Sequence, residues 1–213
     1  HYRHHTWRSF WFATSILILV RLMAFYFVDK GYASGELFSP VLYADTALFN
    51  SLGSLLFNNM TVAFVFYALF VMRYRIHRRM ERFSPARQKL AISLHVLAAL
   101  ALMLYIHFVM RSLILNSSIV MEPYRLTDIG VDAILTYLTF AMLFLALLYQ
   151  AYLIVMLIRR DARVNLFSWR NLLIYTMVIS LYSVMAINSY GLDKEYERSL
   201  DRKSGSAGMP RPI

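Results

Sequence analysis

No cysteine occurs among the 213 residues. Its absence excludes disulfides, thiolate nucleophiles and Cys-ligated metal sites from this chain. Acids are scarce as well: 12 Asp and Glu stand against 22 Lys and Arg, giving a formal net charge of +10. No pair of carboxylates lies inside an apolar run, where a proton relay or ion pathway would need them. The sequence also lacks a Gly-rich phosphate loop, an H-E-x-x-H pair and a nucleophile elbow. Internal repeats and the paired broken helices of an inverted-repeat transporter are missing too. An active site therefore has almost no footing here, and no catalytic residue, metal or cofactor is expected.

What the chain does have is apolar length. Hydrophobic residues make up 59% and charged residues 16%, and the mean hydropathy is +0.51, well above that of soluble domains. Apolar segments run near residues 7–28, 51–72, 90–110, 131–158 and 171–187. All but the last reach the roughly 20 residues that an α-helix needs to cross a bilayer, and the last lies inside the allowed range. Trp169 and Tyr190 flank that fifth segment, in the manner of an aromatic belt. The reading is all-α: an integral membrane bundle of five transmembrane helices over residues 1–190, followed by an extracytoplasmic linker or tail over 191–213. The His1 start and the polar "DRKSGSAGMPRPI" end are expected of a piece of a longer protein.

Charge orients the bundle. The connection "RYRIHRRMERFSPARQK" carries seven basic residues from Arg73 to Lys89 against Glu81, and "RRDARVNLFSWR" sets Arg159, Arg160, Arg163 and Arg170 against Asp161. The positive-inside rule places both in the cytoplasm, so the N-terminus is inside and, after five crossings, the C-terminus outside. Basic residues at helix ends serve orientation and anionic lipid headgroups, so nucleic acid is not an expected partner. Ser84-Pro85 and Ser168 are expected to start helices. The stretch "ELFSPVLYADTALFNSLGSLLFN" reads as a short interfacial helix over 40–49, with Tyr43 at headgroup level, and a bend at 50–53 into the second span.

Histidines are the first candidates for chemistry. "HYRHH" at the start has the H-x-x-H-H form of a di-iron histidine box, but His77, His95 and His107 are each isolated, so the ligand count fails. Bis-His haem ligation fails for a similar reason, because His95 and His107 fall on one helix. Arg21 is the charged residue within a span. It either snorkels to the outer headgroups or pairs inside the bundle, and Asp45 and Asp132 lie at the right level. His107 and Arg111, spaced i, i+4, share one helix face at the same outer layer. Arg21, Tyr43, Asp45, His107, Arg111 and Asp132 are accordingly the candidates for ligand or signal sensing. Asn58, Asn59 and Gln150 are expected to hydrogen-bond between helices as packing contacts.

"LVRLMAFYF", the "F-x-P-x-L-Y-A" and "S-L-G-x-L-L-x-N" elements from Phe38 to Asn58, and the later "YGLDKEYERSLDRK" together resemble the N-terminal membrane sensor region of Bacteroidetes-type bacterial sensor histidine kinases. The chain departs from that pattern at Ser54, where the family carries an acid, and at Asp45, where it carries a small hydroxyl residue. The resemblance implies a multi-pass input module in the cell inner membrane. It also implies a homodimer, an extracytoplasmic ligand or protein partner, and a further span leading to a cytoplasmic kinase that is not in this chain. The competing expectation is a small self-contained carrier, channel subunit or membrane assembly factor.

Overall fold

Serines begin the helices. In the computed structural model, which describes residues 5–29, 51–116, 130–160 and 168–206, Ser51 is extended, with φ −159° and ψ 159°, and its hydroxyl accepts from the Ser54 N–H at 3.2 Å. It thereby satisfies one of the four donors that every helix N-terminus leaves unpaired. Ser84 precedes Pro85, and Ser168 accepts from the Asn171 N–H, at the starts of two later helices. The elements are α1 (His5–Asp29), α2 (Leu52–Val71), α3 (Arg73–Met80), α4 (Pro85–Asn116), α5 (Val131–Arg159) and α6 (Trp169–Ser206). Every element among the described residues is an α-helix. The expected interfacial helix over 40–49 lies outside the described residues.

Four of these helices are long and apolar enough to cross a bilayer: α2, α4, α5 and the Trp169–Tyr196 part of α6. In α1, a helix of 25 residues, the apolar stretch among the described side chains is Phe10–Met23. Large apolar side chains face outward on every helix, with Met177 at 74%, Val131 at 73% and Leu97 at 62% exposure. Such a surface is untenable in water and ordinary in lipid. The chain is a membrane protein.

Side-chain contacts fix the helix directions. Asn59 meets Thr139 and Tyr67 meets Tyr149, so residue numbers rise together and α2 and α5 run parallel. Tyr105 reaches Asn59 and His95 reaches Gln150, so α4 runs antiparallel to both. His107 contacts Tyr182 and Tyr190 while Ile114 contacts Lys194, so α6 runs parallel to α4. The four long helices alternate in direction. The basic ends of α2, α4, α5 and α6 therefore gather at one end of the bundle, together with α3.

The core is a layer of Leu52, Leu55, Ile106, Leu113 and Leu143, each wholly buried, between α2, α4 and α5. A second cluster, Met80, Tyr152, Leu153, Met156 and Leu157, packs α3 onto the basic end of α5. Two boundaries differ from the sequence reading. The basic connection after α2 contains the helix α3, set off by a break at Met72. And α6 does not stop near Ile187. It continues unbroken to Ser206 as a helix of 38 residues, because only its polarity changes at Asn188-Ser189 while the following Leu, Lys, Glu and Arg are good helix formers.

Candidate functional site

Arg21 is turned toward α2. Its Nε donates to Asn58 Oδ1 at 2.6 Å and its Nη2 to Ser54 Oγ at 3.0 Å. Ser54 and Asn58 are one turn apart and so present a single polar stripe to α1. The sequence offered snorkelling or a carboxylate partner for this cation. Among the described residues, α2 supplies an amide oxygen and a hydroxyl to the guanidinium.

Tyr43 and Asp45 lie outside the described residues. Asp132 sits in the first turn of α5, where its charge complements the positive end of the helix dipole. Its carboxylate folds back over Gly130, where a Cβ would stand 2.2 Å from Oδ1. Among the described residues no side-chain hydrogen bond joins Asp132 to the other candidates.

His107 and Arg111 belong to a separate arrangement on α4. The His107 ring lies between two phenols of α6, with Nδ1 2.9 Å from the Tyr182 hydroxyl and Nε2 2.8 Å from the Tyr190 hydroxyl. A neutral imidazole has one donor and one acceptor nitrogen, so one phenol donates to the ring and the other accepts from it. One turn further along α4, the exposed Arg111 guanidinium stands 5.9 Å from the Tyr190 ring centroid. Lys194 Nζ then donates to the Ile114 carbonyl at 2.6 Å, capping the last turn of α4. Tyr182, Ala186, Tyr190 and Lys194 follow at four-residue steps and make one edge of α6. This edge is the latch between α4 and α6. Farther down, the Tyr175 hydroxyl donates to the Phe144 carbonyl of α5.

Two buried amides tie the middle of the bundle. Asn59 donates to Thr139 Oγ1 at 3.3 Å and accepts from the Tyr105 hydroxyl at 2.9 Å, joining α2, α5 and α4. Gln150 Nε2 donates to the His95 carbonyl at 2.8 Å and lies 3.0 Å from His95 Nδ1. An amide nitrogen only donates, so His95 Nδ1 is the acceptor and its proton resides on Nε2. These are interhelical packing contacts of the expected kind, worth about 0.6 kcal/mol apiece in a membrane. Among the described residues no three His, Asp or Glu side chains converge as a metal site would require.

No family model, curated protein or solved structure matches the chain. Function is therefore argued from the site itself.

Sequence reasoning singled out Arg21, His107 and Arg111 but not what they touch. Ser54 and Asn58 carried a signal, the i, i+4 spacing of two polar residues at the mouth of a span. Tyr190 reads only as an interfacial residue at the end of the fifth span, and Tyr182 is not singled out.

Proposed function

We propose that this chain is the membrane-embedded input module of a bacterial two-component signalling receptor. In this reading α1 is a fifth crossing, the basic end of the bundle faces the cytoplasm, and α6 emerges on the extracytoplasmic side of the inner membrane. A stimulus at that outer face shifts helix packing between two states, and a homodimeric receptor passes the shift to a cytoplasmic kinase beyond this chain. The supporting observation is α6 itself: at 38 residues and about 1.5 Å per residue it is about 57 Å long, nearly twice the bilayer core of about 30 Å. Its apolar part crosses, and its charged part continues in the same rigid rod beyond the His107 latch.

The test is the open reading frame past Ile213, followed by an autophosphorylation assay of its product in inverted membrane vesicles. A further span, a kinase core and phosphate incorporation are the expected result. A stop codon directly after Ile213 would remove the reading.

A further inference from the structure

At the basic end of the bundle, the ends of α3, α4 and α5 enclose a pocket of about 320 Å³. Its floor is apolar: Met80, Met156 and Leu157 are buried there, and Ile92 of α4 packs against them. Ile158 also lines it and is 60% exposed, on the face that α5 turns to lipid. The rim is polar, with Arg160, Lys89 and Glu81.

The three charged groups are not equivalent. Glu81 lies 3.6 Å from His77 Nδ1, one turn away. Among the described residues neither Lys89 nor Arg160 has a carboxylate within ion-pair distance. Gln88 positions Arg160, accepting from Nη2 at 3.0 Å while its own amide nitrogen donates to the Met80 and Phe83 carbonyls. That acceptor is neutral and takes one of the five donors of a guanidinium. Lys89 is the next residue of α4, so both cations border the same opening. Apart from His77, the lining holds two cations and one acid, an excess of one positive charge beside an apolar floor.

The geometry points to a discrete binding site for an anionic phospholipid of the adjoining leaflet. Lys89 and Arg160 hold the phosphate, as ammonium and guanidinium groups commonly do, and the first part of an acyl chain covers Met156, Leu157 and Ile92. The volume is near the lower bound for ligand pockets, about 300 Å³, so the rest of the lipid stays in the bilayer along Ile158. A soluble phosphate would leave the apolar floor bare, which favours the lipid. Other basic residues of this end, such as Arg82 and Arg87, draw anionic headgroups only diffusely. The pocket adds a place for a single occupant. The site is independent of the signalling reading, since it needs no kinase and no particular stimulus.

The test uses the whole chain in mild detergent, titrated with dioleoylphosphatidylglycerol or dioleoylphosphatidylcholine, with bound lipids counted by native mass spectrometry. A single phosphatidylglycerol should bind about tenfold more tightly than phosphatidylcholine, the scale of a charge-assisted contact. Lys89→Gln removes a side chain that makes no hydrogen bond among the described residues, so the fold is retained. It should abolish most of the preference, and Lys89→Arg should restore it. Arg82→Gln removes the same charge from the same end but outside the pocket, and should change affinity by less than about twofold. Equal binding of the two lipids, or an unchanged affinity in Lys89→Gln, overturns the site. Equal weakening in Lys89→Gln and Arg82→Gln overturns it in favour of diffuse attraction. Displacement of the lipid by an equal concentration of glycerol phosphate makes the occupant a soluble anion and removes the lipid assignment.

Discussion

Arg160 is the one non-glycine residue with positive φ among the described residues, at 54°. It forms the left-handed C-cap of α5, a position that glycine usually fills because a Cβ there costs about 1 kcal/mol or more. Its side chain offers partial compensation: Nη2 donates to Gln88 Oε1 at 3.0 Å, while Gln88 Nε2 donates to the carbonyls of Met80 and Phe83, each at 3.0 Å. The ends of α3, α4 and α5 thus meet on one glutamine. Replacing Arg160 by Gly and by Ala removes the Gln88 bond equally, so the difference between the two variants isolates the backbone. Arg160→Gly should be the more stable by about 1 kcal/mol, read as a higher Tm in detergent; equal Tm values would mean that the cap relaxes. Gln150 is the opposite case. It is wholly buried and its Oε1 has no partner among the described residues. Gln150→Leu removes that orphaned acceptor along with the bonds to His95, so the two changes oppose each other. The net change should stay within about 1 kcal/mol, and a loss of several kcal/mol in a denaturation series would show the amide to be a keystone.

Among the elements, α6 depends on particular side chains. It is the least buried of the long helices: only 6% of its apolar window is covered, against 50% for α5. Its hold on α4 therefore rests on the edge of Tyr182, Ala186, Tyr190 and Lys194. His107→Ala removes both phenol bonds and should free the outer half of α6. The lack of native cysteine makes this directly measurable, with spin labels at Phe108→Cys and Glu195→Cys, both exposed positions. The inter-label distance distribution should broaden in His107→Ala and stay narrow in His107→Gln, whose amide can still meet one phenol. An unchanged distribution in His107→Ala would mean that apolar packing alone holds the helix. Element by element, hydropathy and two caps were readable: Ser84-Pro85 and Ser168 stand where helices start, whereas Ser51, read as part of a bend over 50–53, caps α2. The length of α6 and the existence of α3 were not, because hydropathy reports what a segment touches, whereas helix propagation depends on backbone bonding that charged residues support equally well. The latch was hidden for another reason. Nothing in the spacing of Tyr182 and Tyr190 names His107, some 75 residues away, until the helices are docked.

At the scale of the whole molecule, the contacts and the charges agree without having been derived from each other. Side-chain pairs set the alternation of α2, α4, α5 and α6, and that alternation collects the basic residues at one end, as the positive-inside rule requires. In spheroplasts, a membrane-impermeant maleimide should label Asp193→Cys and leave Ala86→Cys unlabelled until the membrane is opened. The reverse pattern would invert the orientation. The placing of the latch restricts how α6 can move against this bundle. The two phenols lie on either side of the imidazole along the helix axis, eight residues apart. A slide of four residues, about 6 Å, in one direction would set Ala186 and Lys194 beside the ring, and in the other Val178 and Ala186. Either slide forfeits both phenol bonds at once. A tilt about the ring keeps both. His107 is in mechanical terms a fulcrum, and the projecting arm of α6 is a lever suited to swinging, not a piston.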